Sequence, residues 1–577
     1  MNDPLDHLPA DPVTWDVLIV GAGPAGCVLA NRLSADGRRV LLVEAGIDLP
    51  PGAEPWQVRD TFGPSAATDP RFMWPGVQVL WARHPERRPR RYEQARVMGG
   101  GSSINGLWAL RGAPDDYDEW ERLGARGWGW SEMLPRLRRI ERDLDFPSSP
   151  LHGGTGPIPV RRHRRDEWPP LCRALCEAAA DLGWDEVADM NGEFADGWCA
   201  VPMNSDGRQR VAAPMVYLDA AVRARPGLRI ECGTLAERVL FEGRRAVGAV
   251  LRPTGAAADL RVVRAHEVLL CAGAYQSPAL LLRSGIGPLP ELRRHAIAPV
   301  HELPGVGANL HDHPYLYLAA HLRRDAMQPA AQRPWVHSCL RFSSGAQGGV
   351  PGDMVLTMLN KTMWHPLGRR IGAVGVSLYK PLSRGRLRLA GPGADDFPEV
   401  DHELLSDPAD LARMVGGLRL AWRLLHHGRV APLRTAVFAA SYSDAVRRIT
   451  PRTAGNWLQA AAFALLLDGP APLRRALIDR FVTQGADVAP LIDDDAGLAD
   501  FIRRHCAGVY HPVGTCRIGA DADTGAVLDP ACRVRGVQGL RVVDASAMPT
   551  VPRANTHFPV LALAERAADL MAATAGH

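Results

Sequence analysis

The sequence predicts an α/β chain with α+β character. A discontinuous, Rossmann-like dinucleotide-binding unit is expected beside a second unit of antiparallel sheet and helices. Three observations predict it. A glycine fingerprint lies between a strand-like and a helix-like run near the start, an acid closes the next strand, and a further strand ending in an acid returns near the end.

Asp16-Val-Leu-Ile-Val20 is a continuous apolar run of strand length, as expected for a strand buried on both faces of a parallel sheet. It leads into Gly21-Ala-Gly-Pro-Ala-Gly26 and then Cys27–Leu33, which reads as helix and stops at Gly37. Arg39–Val43 is the second strand, and Glu44 stands 18 residues past the last glycine of the fingerprint. Gly21, Gly23 and Gly26 let backbone approach a pyrophosphate, and the helix N-terminus offers it free N–H groups. Pro24 removes one of those donors and Ala25 keeps one. Glu44 is placed to accept hydrogen bonds from a ribose diol, which argues against a 2′-phosphate and leaves NAD and FAD open.

Further along, 145–150 and 153–157 are turn-rich and mark a change of module. Arg261–Leu270 reads as strand, Cys271–Ala274 as a small-residue turn, and Ser277–Arg283 as helix. Val374–Leu378 and Gly385–Leu389 alternate like an antiparallel sheet with one wet face, and Pro408–Leu425 is a long helix. Leu540–Val543 is a strand closing on Asp544, and a helix is expected from about Pro559 to Ala573. The cofactor unit is therefore expected to comprise 12–155, 212–318 and 505–577, and the substrate unit 156–211 and 319–504.

Composition narrows the class. With 577 residues, 46% hydrophobic and 23% charged, the chain is no disordered protein. About 150 residues per domain gives roughly four units, and two large domains fit as well. A net charge of +4 provides no one-signed field for nucleic acid. All but two of the 67 basic residues are arginines, the exceptions being Lys361 and Lys380. The arginine runs 83–91 and 161–165 read as solvated loops. None of the ten cysteines forms a CxxC pair, so reduced, buried thiols are expected. The polar start is no signal peptide, and Leu458–Leu467 is half the ~20 residues a membrane span needs. A cytoplasmic protein is expected.

Four blocks resemble the glucose–methanol–choline (GMC) oxidoreductases. They are the first fingerprint with Glu44; Arg96-Val-Met-Gly-Gly-Gly-Ser-Ser-Ile-Asn105 with Arg111-Gly112; Gly273–Gly287; and His511-Pro-Val-Gly-Thr515 with Val542–Ser546 and Asn555–Pro559. Phe72–Pro75, Tyr92–Gln94, Asp115–Trp120, Glu141–Asp143 and Pro549–Pro552 look most like the family's hydroxymethylfurfural- and aryl-alcohol-oxidase branch.

The resemblance implies FAD. It implies that Met98, Gly100, Ser102, Ser103, Asn105 and Gly106 lie against or beside the flavin, in a loop of small side chains that a flat ring can approach. Ile104 stands where some relatives carry a flavin-linking histidine, so noncovalent FAD is implied. The adenine falls to Ala236, with Ala45, Asp544, Ala545 and Thr556 also implied as cofactor-binding. Pro559 opens the last helix, whose N-terminal dipole favours negative charge on the reduced flavin.

His511 matches the family's catalytic histidine and Asn555 its partner position. An alcohol pKa near water's ~15.7 against ~6.5 for imidazole leaves about nine units, or ~12 kcal/mol, so free alkoxide is disfavoured. Proton removal by His511 is best coupled to hydride departure toward flavin N5, while Asn555 orients the alcohol oxygen. Val509 and Tyr510 are expected to line the substrate pocket, ahead of Trp364 and His365. His557 reads as supporting rather than catalytic. His311-Asp-His313 has the look of a metal pair, but relatives with Gln-Asp-His hold no metal, and none is expected.

These readings imply an alcohol oxidase that takes primary, aromatic or furanic alcohols to aldehydes, and to acids through the hydrate, with O₂ reduced to H₂O₂. The alternatives are a dehydrogenase passing electrons to a quinone or another carrier and, less favoured, a hydroxynitrile lyase. The expected partners are a small alcohol and O₂, with no nucleic acid, for a monomer or homodimer.

Overall fold

Val17–Val20 form the buried end of a parallel strand, Ala10–Val20, in register with Val40–Val43 on one side and Glu267–Leu270 on the other. The computed structural model describes residues 8–86, 88–256, 258–440, 444–483 and 487–575. Leu228–Cys232 extends this sheet beside Val40–Glu44, and Leu540–Val542 joins it beside Arg261–Leu270. Arg245–Pro253 and Thr234–Glu242 complete seven strands as an antiparallel edge. The start, middle and end of the chain thus meet in one sheet. Helix Pro24–Ala35 begins with proline at its first turn, where a missing N–H costs no helical bond. It buries Ala25, Cys27, Val28, Leu29, Ala30 and Leu33, and packs on the last helix, His557–Ala575.

The second large sheet runs, edge to edge, Arg434–Ala440, Pro314–Leu322, Ile371–Leu378, Met354–Leu359, Val336–Phe342 and Gly197–Ala200, with Ala507–Gly508 beside Pro314. Its strands are antiparallel, as expected, but the expected wet face is absent: Val336–Phe342 and Met354–Leu359 are buried throughout. Leu316, Leu318, Met358, Val374 and Val376 belong to the main apolar core, on which helix Pro408–His426 packs. Tyr315, Tyr317, Thr357, Leu359, Ala373, Ser377 and Phe438, at alternate positions, wall an internal cavity. The polar alternation in this sheet therefore marks a chamber and not bulk solvent.

Arg386–Arg388 also departs from the expectation. It joins a separate four-stranded sheet with Glu399–Leu404, Gln78–Ala82 and Arg90–Arg91. Arg162, inside a run read as solvated, is buried. All ten cysteines are free and nine are buried. No helix among the described residues is long and apolar enough to cross a membrane.

Candidate active site

The glycine fingerprint is dictated by contact. A Cβ on Gly21, whose φ is +101°, would stand 2.6 Å from the Cys271 carbonyl oxygen, and one on Gly26 would stand 2.0 Å from that of Gly21. Gly100, at φ +49°, brings its loop so near that an added Cβ would lie 3.0 Å from the Gly23 Cα. No side chain caps helix Pro24–Ala35 at Gly23, so its first N–H groups are left for a ligand. Glu44 is buried and accepts from Ala22 N at 2.9 Å and Gly46 N at 2.8 Å. Burial raises its pKa against the pull of these bonds.

Gly21, Gly23, Glu44, Gly100 and Cys271 line one cavity of about 1240 Å³. That exceeds the ~300–1,000 Å³ of a usual small-molecule site and suits a dinucleotide plus a substrate. Gly21, Gly23, Pro24, Ala25, Glu44, Ala45 and Ala236 line its nucleotide end. Gly100, Ser102, Ile104, Asn105, Gly106, Asp544, Ala545 and Thr556 line it too, as do Val509, Tyr510, His511, Asn555 and His557. Met98, Gly26, Ser103 and Pro559 lie outside that lining. Ser103 Oγ donates to Met98 O at 2.7 Å, closing the loop from behind. The last helix starts at His557, two residues before the expected Pro559, so its open end falls at Asn555–His557.

Asp544 and Asn105 are largely committed to protein. Asp544 Oδ2 accepts from Gly273 N and Ser277 Oγ, and Oδ1 from Ser546 N and Oγ. Asn105 Oδ1 accepts from Leu107 N at 3.0 Å and from the buried Arg210 guanidinium. Its amide nitrogen is thereby oriented.

At the far end, His511 Nδ1 lies 2.9 Å from His313 Nδ1. His313 Nε2 lies 3.2 Å from Pro552 O, which can only accept, so that nitrogen carries hydrogen. Neutral His313 then offers Nδ1 as an acceptor, and His511 must donate through its own Nδ1. The remaining nitrogen of His511, Nε2, keeps its lone pair and acts as an acceptor. Asn555 Nδ2 donates to it at 3.0 Å, while Tyr379 Oη donates to Asn555 Oδ1 at 3.2 Å and fixes the amide. Burial holds His511 down to about 3, and burial with its neighbour His511 holds His313 well below the usual range. Both are neutral at ordinary pH.

Asp312 binds the backbone of this pair. Its Oδ1 accepts from His313 N at 2.8 Å and His511 N at 3.0 Å, and burial raises its pKa to about 7. His311 turns toward Asn309 Oδ1 at 3.2 Å. Asp312 and His313 of the triplet therefore orient His511, while His311 turns away to Asn309. Among the described residues the set with metal-like spacing is Glu141, Asp143 and His152. Arg111 and Arg162 already occupy those carboxylates.

Sequence reasoning missed the roles of His313, Asp312 and Tyr379. The triplet was visible and misleading, and Tyr379 carries no local signal. Trp364 donates Nε1–H to Thr450 O at 2.7 Å, outside the lining, whereas His365 lines the cavity.

A dinucleotide cleft that ends on a neutral, oriented histidine defines a cofactor-dependent oxidoreductase. Comparison with known proteins makes this specific. GMC oxidoreductase family models match residues 15–315 and 381–564. A 5-(hydroxymethyl)furfural oxidase of Methylovorus sp. (strain MP688) is 39% identical over 96% of this chain and 98% of its own. An alcohol dehydrogenase [acceptor] of Pseudomonas putida is 31% identical over 96% and 95%. The solved structure of pyridoxine 4-oxidase from Mesorbium loti superposes with a TM-score of 0.78 at 28% identity, covering 96% and 99%. The chain belongs to the GMC oxidoreductase family, and its cofactor is FAD.

Proposed function

We propose that this enzyme oxidises primary alcohols of aromatic or furanic type to aldehydes, and aldehyde hydrates to acids, with O₂ as electron acceptor. The observation that carries the reading is the Nε2 lone pair of neutral His511, held on the cavity wall by an amide donor, Asn555 Nδ2, at 3.0 Å. A relative named as a 5-(hydroxymethyl)furfural oxidase, at 39% identity, supports the substrate class.

FAD, held by Gly21, Gly23, Glu44, Ala236, Gly100 and Asp544, would supply a hydride acceptor whose two electrons would pass to O₂ as hydrogen peroxide. The chain's own residues handle the proton. His511 Nε2 accepts it from the alcohol O–H, which takes the place of Asn555 Nδ2 at that lone pair, and the amide, held by Tyr379, donates to the alcohol oxygen. His313 keeps His511 Nδ1–H occupied, so the lone pair stays at Nε2 throughout. With His511 held down to about 3 by burial, an imidazolium beside a free alkoxide is unfavourable, so proton removal and C–H cleavage belong to one step. Val509 and Tyr510 shape the substrate side, and His557 supports the open end of the last helix.

The same reading takes 12–155, 212–318 and 505–577 as the FAD unit and 156–211 and 319–504 as the substrate unit. The membership of the two large sheets supports this, with Pro314–Leu322 and Ala507–Gly508 bridging the units.

The second reading is a dehydrogenase with a quinone or another carrier, favoured by the Pseudomonas putida relative. Anaerobic mixing with a panel of alcohols, followed by air, tests both. Flavin bleaching then rapid recolouring with stoichiometric peroxide is expected. Bleaching without fast recolouring in air selects the dehydrogenase, and no bleaching by any alcohol overturns the proposal.

A further inference from the structure

A second pocket, of about 540 Å³, opens on the surface apart from the large cavity. Arg59, Arg208, Arg333 and Arg452 line it with Asp60 and Trp56, and none of these residues lines the large cavity. Four guanidinium groups thus share one carboxylate, and that carboxylate is committed. Asp60 accepts from Arg333 Nε at 3.0 Å, Ser65 Oγ at 2.6 Å and Phe62 N at 3.2 Å, while Arg452 reaches it only at 4.0 Å. Of the acids nearby, Glu54 pairs with Arg59 at 2.6 Å, and Asp206 accepts from the backbone N–H groups of Arg208 and Gln209. The exposed Arg208 guanidinium makes no ion pair among the described residues.

Positive charge continues behind this lining. Buried Arg210 donates Nε–H to Val58 O at 2.9 Å, and buried Lys361 donates to Gln332 O at 2.7 Å, each at a chain neighbour of a lining arginine. Burial, then repulsion from Arg333, Arg369 and Arg452, brings Lys361 down to about 7. Burial and Arg333 also lower the pKa of Arg452. The pocket is short of negative charge.

Its arginines are also held in place. Arg452 lies over the rings of Trp56 and Trp364, 4.5 and 5.3 Å from their centroids, and donates to Ser65 Oγ at 3.1 Å. Asp60 fixes Arg333 and Glu54 fixes Arg59. Guanidinium forks set in advance suit a phosphate, whose oxygens take paired N–H donors. Trp56 is 49% exposed at the same pocket and offers ring surface to whatever carries the phosphate.

We infer that this pocket binds a phosphate group, free or carried by a small organic ester, separately from FAD and from the alcohol. Helix Trp56–Arg59 leads into Gly63, Pro64 and Ala67, which line the large cavity. Arg210, whose N–H bonds Arg59 O at 2.8 Å, also engages Asn105 Oδ1 in that lining. A bound phosphate therefore braces chain that walls the flavin cavity.

The test is calorimetric titration of the FAD-loaded enzyme with inorganic phosphate and with phenyl phosphate at low salt. One saturable site per chain is expected. Arg208→Gln and Arg452→Gln should each weaken it by about 10-fold, the loss expected for one charge-assisted hydrogen bond. Arg208 is exposed and unpaired, so its variant keeps the fold, and unchanged FAD absorbance checks this. Phenyl phosphate binding tighter than phosphate, with the advantage lost in Trp56→Leu, assigns an ester. Equal affinities assign free phosphate. No saturable binding of either probe at millimolar concentration overturns the inference, and so does binding that both arginine variants leave unchanged.

Discussion

His313 and His511 meet through their Nδ1 atoms at 2.9 Å, and one hydrogen serves both nitrogens. The Pro552 carbonyl at the far side of His313 settles which ring supplies it, because that oxygen has nothing to donate. Orientation of the His511 ring thus comes from a neutral histidine, the Asp312 carboxylate holding only the backbone of the pair. This suits a buried site, where an unpaired charge is costly.

The first prediction isolates that arrangement. In His313→Leu the acceptor for His511 Nδ1–H is gone, and the hydrogen can move to Nε2, which blocks the base. Anaerobic flavin reduction should slow by about 10²-fold, the low end of the 10²–10⁴-fold that a positioned base contributes. His313→Asn, whose side-chain oxygen can stand near the former Nδ1, should recover a good part. Equal rates in both variants would show that the stacking of His313 on Tyr379, with ring centroids 4.6 Å apart, matters and the tautomer does not.

The second concerns His511. His511→Ala should bind FAD and lose about 10²–10⁴-fold in the rate of flavin reduction by alcohol. Asn555→Ala should lose less, because the proton acceptor stays. In the wild-type enzyme His511 is held to about 3, so the acceptor form persists well below neutrality. The reduction rate should be flat from about pH 5 upward, far below the unperturbed imidazole pKa of ~6.5. A sigmoid centred near 6.5 in stopped-flow measurements would contradict the burial of the base.

Most of this site was legible in the sequence where function forces backbone geometry. Gly21, Gly26 and Gly100 are fixed by contacts that a Cβ would violate, so the fingerprint announces itself in one dimension. His511 and Asn555 were legible for a different reason, as parts of long blocks shared with a family. What stayed hidden depends on strands distant in the chain. Tyr379 reaches Asn555 across 176 positions and His313 reaches His511 across 198, and neither spacing leaves a local pattern. The alternation in Ile371–Leu378 was visible, but period two cannot tell a face in water from a face on a chamber.

The third prediction tests cofactor attachment. Ile104 lines the cavity and has no nitrogen to bond a flavin carbon. Acid precipitation should leave a colourless pellet and intact FAD in the supernatant. Yellow colour in the washed pellet would mean that another side chain forms the link.

The fourth concerns alkaline stability and lies away from the chemistry. His152 is enclosed by Glu141, Asp143 and Asp189, with Nδ1 3.0 Å from Asp143 Oδ2 and Nε2 2.6 Å from Asp189 Oδ2. Burial works to lower its pKa, but the three carboxylates win and raise it to about 10. With Arg111 and Arg162 it balances those three charges. The folded pKa is above the unfolded value of ~6.5, so this stabilisation is complete below ~6.5 and lost as pH rises through about 10. Urea midpoints should fall over that window in the wild type. His152→Gln should be less stable by ~3 kcal/mol near neutral pH, as for other broken buried pairs, with a flatter alkaline limb. Parallel limbs in the two proteins would assign the alkaline loss elsewhere.

The last prediction asks how far oxidation proceeds. An aldehyde has no carbinol hydrogen to surrender beside an O–H, but its hydrate has both, in the geometry His511 Nε2 and Asn555 Nδ2 already serve. The second hydroxyl of that gem-diol must be accommodated next to Asn555, with Tyr379 Oη 3.2 Å from the amide oxygen and His557 on the adjoining wall. Polar groups at that point favour a hydroxyl where an apolar wall would reject it. Aldehydes that hydrate readily should therefore go on to acids, and poorly hydrated ones should accumulate. Product analysis with excess O₂ and catalase reads the outcome. A fully hydrating aldehyde that yields no acid on long incubation would confine the enzyme to the first step, and Tyr379→Phe would then show whether the hydroxyl cluster excludes the diol or admits it.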